Sequence, residues 1–505
     1  MPVTSWEPLS PTRFLDRSAA VFAHRTAVID GDVELTYAQL HQRVDALTGV
    51  LAARGIGPGD RVAALCANSH VLLELHHAVP LRSAVLVALN TRLAPDELAY
   101  ILEHSGASLL IATQEYAAIA TELGERLGLP VILDYENDLT SAEPARLETD
   151  DERALLAINY TSGTTGRPKG VMYHHRGAYL QSLAMAFHTG LGPRSTYLWT
   201  LPMFHCDGWC FPWAVTAAGA THLALRAVKP AEIWTALSRA THFSAAPTVL
   251  TMIAEHPSAA PLERPVEATT GGAPPSPALL ARMRRLNIEV THLYGLTETF
   301  GPAVINVWQP EWDTLDDDAR ARRQARQGVP NVVASPLRVV DANGRDRPAD
   351  GETIGELVIR GNDVMLGYYR DDEATEQASY DGWFRTGDLA VMHPDGYVEI
   401  RDRLKDVIIS GGENIASVEV ERVLDEHPAV VESAVVGAPH EKWGEIPVAF
   451  VTTRTTVTED ELVRFARERL AGFKVPKRIV FSELPRTSTG KIRKNALRIT
   501  AQEGP

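Results

Sequence analysis

Apolar residues recur along this chain with two different periods, and the two alternate for most of its length. Leu40, Val44, Leu47 and Leu51 share one face at helical spacing, which predicts a helix over 37–54 with Thr36 as its N-cap. Gly55-Ile-Gly-Pro-Gly59 ends it, and Arg61–Leu65 follows as a strand. Further helices are predicted over 91–105 and 277–286, with short β-type runs at 288–293, 433–436 and 448–451. Such alternation implies an α/β fold with largely parallel sheets. Two polar stretches punctuate it. The charged stretch 313–326 reads as an exposed helix or loop, and 341–351, rich in Asp and Gly, as a hairpin connection.

A chain of 505 residues exceeds one core and implies roughly three to four structural units. The run 71–89 is the most membrane-like, but Glu74, His76, His77, Pro80 and Arg82 interrupt it, so it reads as a buried helix and turn. Residues 1–24 carry charges and prolines and lack a signal core. Three cysteines, Cys66, Cys206 and Cys210, cannot build a disulfide framework, and the last two lack partners at zinc-ligand spacing. A cytoplasmic protein with no membrane partner is expected. The net charge of −15 argues against nucleic acid. Within 464–498, however, 11 basic residues face only two acids, Glu468 and Glu483. That segment suits a polyphosphate, although a solvated helix face explains most of it equally well.

The densest chemistry lies in Thr161-Ser-Gly-Thr-Thr-Gly-Arg-Pro-Lys-Gly170, directly after the apolar run 154–158. The hydroxyls of Thr161, Ser162, Thr164 and Thr165 and the amide of Gly163 can donate to phosphate oxygens, and Lys169 adds charge. This is not a P-loop: Pro168 precedes the lysine, and no hydroxyl follows it to reach magnesium. The segment resembles the signature loop of the adenylate-forming superfamily, which includes acyl-CoA synthetases, peptide-synthetase adenylation domains and beetle luciferases. In that family the loop grips the β- and γ-phosphates of ATP.

Other motifs appear in the family's order. Tyr294-Gly-Leu-Thr-Glu298 follows a β-type run, so it sits at a strand end, where α/β proteins place sites. Tyr294 can stack on adenine, Thr297 can bond the α-phosphate and Glu298 can hold Mg2+. Gly295 completes the match to the family pentapeptide. Gly271-Gly-Ala-Pro-Pro275, centred on Gly272, Ala273 and Pro274, resembles the adenine-binding turn. Asp388 resembles the aspartate that binds both ribose hydroxyls, and Arg403 its ribose- and phosphate-contacting partner. Lys405 occupies the hinge position. Ser410-Gly-Gly-Glu-Asn-Ile415, with Gly411, Gly412 and Glu413, resembles the loop lining the pantetheine tunnel, and Trp443 is a candidate CoA contact. Lys491, after Thr489 and Gly490, resembles the catalytic lysine that bridges the carboxylate and the α-phosphate.

Pro202-Met-Phe-His-Cys-Asp-Gly-Trp-Cys210 resembles the mouth of the acyl pocket. His205 matches the gate that shields the carboxylate before ATP binds, and Trp209, Gly295, Gly301 and Pro302 can line the channel. The small residues among these are expected to leave it open. Relatives most like this chain usually carry an uncharged residue, often Asn, where Asp207 stands. A carboxylate beside a carboxylate substrate is unfavourable unless paired. Asp207 therefore caps the next turn, pairs with a cation of the protein, or receives an amine of the substrate.

The resemblance spans essentially the full length. It implies a large N-terminal domain, 1–400, of two βαβ-type subdomains plus a small β-barrel-like sheet. A hinge at 401–406 and a mobile α+β lid at 407–505 follow. The implied activity is ATP-dependent conversion of a small-molecule carboxylic acid, fatty or aryl, to an acyl-adenylate, then to a thioester, with ATP, Mg2+ and CoA. A carrier protein in place of CoA, or nitrite activation for an amino-aryl acid, are the alternatives. A monomer or homodimer is expected.

Overall fold

The computed structural model describes residues 5–161, 167–411, 413–487 and 491–502, and its elements are counted over these. The first long helix is Tyr37–Ala53, and it forms as its periodicity predicts. Thr36 caps the Gln39 amide, and the Gln39 side chain accepts from the Thr36 amide. Leu40, Val44, Leu47 and Leu51 are fully buried. The helix predicted from residue 91 begins later, as Pro95–Ser105. Pro95 takes the first helical position, where its missing N–H costs nothing, and the Glu97 side chain caps the Ala94 amide. The run 71–89 becomes the buried helix His70–Ala78, the 3₁₀ turn Pro80–Arg82 and the strand Val85–Ala88.

Four sheets organise the chain. A nine-stranded sheet is parallel through its centre, where Thr221–Leu223, Thr196–Leu198, His242–Ala245, Val266–Thr270 and Ile288–Leu296 lie side by side. A six-stranded sheet is parallel except for Gly170–His174, which pairs antiparallel with Leu155–Tyr160. A smaller antiparallel sheet runs from Arg338 to Arg403, and the stretch 341–351 makes its first hairpin connection. The fourth sheet, with the helices Ser417–Asp425, Glu459–Arg467 and Lys494–Gln502, forms the small C-terminal domain. The fold is α/β, with a large N-terminal part and a smaller C-terminal domain.

Two boundaries differ from the expectations. The strand Val398–Arg403 runs through the first half of the expected hinge, so the chain leaves that sheet only at Leu404. The runs at 433–436 and 448–451 are the middle of one long hairpin, Val430–His440 against Gly444–Thr453. Pro439 and Pro447 hid its length, because proline ordinarily demotes a strand.

Candidate active site

The strand Ile288–Leu296 lies between Val266–Thr270 and Gly301–Ile305. The turn at Gly271 and the pentapeptide at Tyr294 therefore emerge side by side. Gly272, Ala273 and Pro274 are exposed at that turn. A Cβ on Gly295 would stand 1.8 Å from the Gly301 carbonyl oxygen, so only glycine lets these two strands close here. The Tyr294 hydroxyl donates to Asp388 Oδ2 at 2.6 Å. Arg403, the cross-strand neighbour of Asp388, places Nε 3.4 Å from the other carboxylate oxygen. Burial raises the Asp388 carboxyl above its ordinary value, against the opposing pull of Arg403 and Lys491.

At the phosphate end, the Thr161 amide donates to the Lys169 carbonyl at 3.0 Å and closes the base of the loop. Ser162, Gly163, Thr164 and Thr165 lie outside the described residues. Lys169 Nζ sits 4.7 Å from the Tyr368 ring centroid and 3.9 Å from Asp371. The Tyr368 hydroxyl donates to Glu298 Oε1 at 2.7 Å. Tyr368 thus joins the loop lysine to the expected metal carboxylate. Sequence reasoning missed it, because an aromatic residue after glycine carries no chemical signature. Thr297 is fixed through its backbone carbonyl, which accepts from the Tyr173 hydroxyl at 2.7 Å, and its Oγ1 lies 3.5 Å from Cys206 Sγ. Among the described residues no cluster of three His, Cys, Asp or Glu side chains is placed to hold a metal. One carboxylate completed by phosphate oxygens is the usual magnesium arrangement, and Glu298 fits it.

The C-terminal domain brings Lys491 beside the turn at Gly271. Its Cε stands 3.5 Å from where a Gly272 Cβ would be. Burial lowers the Lys491 amine, and Arg403 adds to this, while Cys206, Asp388 and Glu298 oppose it. The His205 ring is pushed down to about 3 by burial and by the charges of Lys491 and Arg92, so it is neutral at neutral pH.

The acyl side is built on an unusual backbone. Cys206, Asp207, Gly208, Trp209 and Cys210 have φ of 51°, 46°, 57°, 56° and 63°. A left-handed turn is unfavourable by about 1–2 kcal/mol per non-glycine residue, so tertiary contacts must hold this one. The turn aims its residues in different directions. Cys206 faces Thr297, Gly208 lies against Trp199, and the Trp209 indole packs between Gly271 and Gly301. Added Cβ atoms at those two glycines would stand 3.2 and 2.8 Å from the indole. The expectation of an open channel is corrected here: Trp209 occupies the space that Gly301 leaves, and the Gly301 backbone occupies the space at Gly295. Pro302 contributes its carbonyl, which accepts from Gln181 at 2.7 Å and from Asn331 at 3.1 Å.

Asp207 caps no turn, since neither adjoining helical segment carries a side-chain cap. Its side chain is fully buried. Oδ2 accepts from Asn159 Nδ2 at 3.0 Å, and the Asp207 amide donates to Asn159 Oδ1 at 3.1 Å. Oδ1 faces His76 Nε2 at 3.6 Å. Of the three readings, a partner within the protein is the one this geometry supports.

The remaining predicted residues gather on the hinge and lid. Gly411, at φ 62°, lies against the Trp443 ring and donates its amide to the Trp443 carbonyl at 2.7 Å. Ser410 is buried and pairs with Glu413, and Gly412 lies outside the described residues. The Lys405 carbonyl accepts from Arg498, which also pairs with Asp406. Burial, then Arg403, lowers the Lys405 amine.

Comparison with known proteins finds relatives along nearly the whole chain. The family described as AMP-binding enzyme matches residues 15–369, and the AMP-binding enzyme C-terminal domain matches residues 419–491. The chain is 42% identical to a peroxisomal acetate/butyrate–CoA ligase of Arabidopsis thaliana, over 99% of this chain and 96% of that protein. It is 40% identical to a 4-hydroxybutyrate–CoA ligase of Metallosphaera sedula, with the same 99% and 96% coverage. Among solved structures, ATP-bound MatB from Rhodopseudomonas palustris superposes with a TM-score of 0.87 at 29% identity, over 97% of this chain and 99% of that one.

Proposed function

Because this chain belongs to the AMP-binding enzyme family, we propose that the residues gathered here divide between them the activation of a carboxylic acid and its transfer to CoA. The protein is an AMP-forming acid–thiol ligase. It uses ATP to convert a carboxylic acid to an acyl-adenylate with release of pyrophosphate, and then forms the CoA thioester. The observation that carries the residue assignment is Lys491 standing beside Gly272, with Asp388 and Glu298 drawing on its charge.

In this reading Asp388 and Arg403 hold the ribose, Gly272–Pro274 cover adenine, and Lys169 with the Thr161 loop holds the outer phosphates. The acid oxygen attacks the α-phosphorus, an O–P bond forms, and the bond to pyrophosphate breaks. Lys491 and Thr297 neutralise the charge that develops there. Glu298, oriented by Tyr368, would hold magnesium, which supplies charge compensation to the phosphates when bound. The neutral His205 shields the acid without competing for its charge. The lid then turns about Lys405, withdraws Lys491 and presents Ser410–Glu413 and Trp443 to CoA, whose sulfur bonds the acyl carbon as the carbon–oxygen bond to AMP breaks and the thiol proton passes to solvent. A hinge at 401–406 between an N-terminal domain and a lid from 407 serves that motion.

The acid is small. Trp209 between Gly271 and Gly301 supports this, as do relatives named for acetate, butyrate and 4-hydroxybutyrate. Three buried free thiols suit a reducing compartment, and no described helix is long and apolar enough to cross a membrane. The relatives favour neither carrier-protein loading nor nitrite activation. The test is ATP turnover with short, long, aryl and amino-aryl acids, each with CoA, with nitrite and with neither, and products identified by mass. A CoA thioester from a short acid is expected. AMP release that needs nitrite and an aromatic amine would overturn the reading.

A further inference from the structure

The left-handed turn that carries Cys206 and Trp209 is held from beneath by two other elements. Asn159, at the end of the strand leading to the phosphate loop, binds both the amide and the carboxylate of Asp207. His76, on the buried helix His70–Ala78, faces the other carboxylate oxygen at 3.6 Å. Both side chains are fully buried, and His76 Nε2 and Asp207 Oδ1 have no other hydrogen-bond partner among the described residues. The tautomer is decided by geometry: His76 Nδ1 lies 2.7 Å from the Leu72 carbonyl, which only accepts, so Nδ1 carries a hydrogen. Without a second proton, Nε2 would turn a lone pair toward a carboxylate oxygen, and two buried acceptors would face each other unsatisfied.

We propose that one proton shared between His76 and Asp207 locks the left-handed turn, and that acid binding depends on this lock. His76 and Asp207 are positioning residues. They act on the acid through Trp209, which the same turn presses against Gly271 and Gly301. The surrounding titratable groups do not compete for the proton. Beside Asp207, burial pushes the Cys206 thiol up to about 11 and the Tyr173 and Cys210 groups well above their ordinary values. Beside His76, burial pushes His77 down to about 3 and His222 well below its ordinary value. The three donors stay protonated and the two imidazoles stay neutral, so none of them takes the proton that His76 and Asp207 share. Without that proton Oδ1 has no donor, and the strained turn is free to relax.

The test has two arms on the full-length protein. In ¹⁵N NMR of histidine-labelled protein near neutral pH, both ring nitrogens of His76 are expected to be protonated, the signal being assigned by its loss in His76→Gln. Asp207→Asn supplies an amide donor to Nε2 in place of the proton, so that nitrogen should become bare. A bare Nε2 in the wild type at neutral pH would overturn the proposal. The kinetic arm rests on the ligase reading. His76→Ala leaves Oδ1 without a donor and should raise the KM for the acid about tenfold, the lower end of what an unsatisfied buried acceptor costs. The KM for ATP measured in parallel should change little, and an acid KM that does not rise would also overturn the proposal. If His76→Ala does not fold, His76→Leu should show the same rise, and His76→Gln should lose most of it, because its amide donates to Oδ1. Absence of turnover with any acid would refute the ligase reading and leave the NMR arm standing.

Discussion

Replacing Lys491 with Ala separates chemistry from structure. The lysine reaches the adenine turn from the lid, and its charge faces Asp388 and Glu298 in a partly dry site. Removing one oriented donor of this kind from a developing phosphoryl charge costs about 3–4 kcal/mol, or about 10²–10³ in rate. ATP–pyrophosphate exchange should fall by that factor, while ATP binding, which the proposed reading assigns to Asp388, Arg403 and the phosphate loop, should change little. Thioester formation from preformed acyl-adenylate should also be nearly unchanged, because the lysine has no part in that step. Stability supplies an independent check. The folded state lowers the Lys491 pKa, so it binds this proton less well than the unfolded chain does. The resulting penalty is fully present below the folded pKa and fades as pH rises through that value toward the unfolded one. At neutral pH the variant should therefore melt no lower than the wild type. Full exchange activity, or equal loss in both half-reactions, would refute the assignment.

Trp209→Ala should open the space beside Gly271 and Gly301, and kcat/KM for longer or aryl acids should gain about 10–100-fold over acetate in a substrate panel. Tyr368→Phe removes the hydroxyl donating to Glu298; the KM for ATP should rise several-fold, and most at low magnesium in a titration, as expected for loss of roughly 1 kcal/mol of orientation. Gly295→Ala would force a methyl against the Gly301 carbonyl, and thermal unfolding should show destabilisation of at least about 1–3 kcal/mol.

The parts of the site legible in the sequence are those where one segment holds the chemistry. Tyr294 through Glu298 announced a strand-end site because an apolar run led into hydroxyl and carboxylate groups. The helix Tyr37–Ala53 was legible from its period and its cap. What escaped was set by distant partners or by backbone that residue types do not encode. His205-Cys-Asp-Gly-Trp-Cys210 has one glycine, yet five successive residues take positive φ, held by Asn159 and His76 from far away in the chain. Trp209 could be named as a pocket residue, but not as the group that fills it. The bond from Tyr368 to Glu298 spans 70 residues and belongs to no motif.

The lid rotation proposed about Lys405 places a demand on how the two parts are joined. A large shared apolar core would resist it. The apolar clusters of the lid contain only residues from Ile408 onward, and the cluster beside the smaller antiparallel sheet ends at Ile400. Polar contacts cross the hinge instead. Asp402 accepts from the Ser417 amide and hydroxyl, and Glu399 pairs with Arg422 at 2.6 Å. The Arg422–Glu399 pair is partly exposed, and such pairs are worth only about 0.2–1 kcal/mol, so releasing it costs little. Asp402 is different, because burial raises its carboxyl despite the opposing charge of Lys494. Its bonds to Ser417 hold the first turn of a lid helix against the strand that ends at the hinge. A lid fastened by a few polar contacts and, among the described residues, by no common apolar core can keep Lys491 in place for the first half-reaction and still let go for the second.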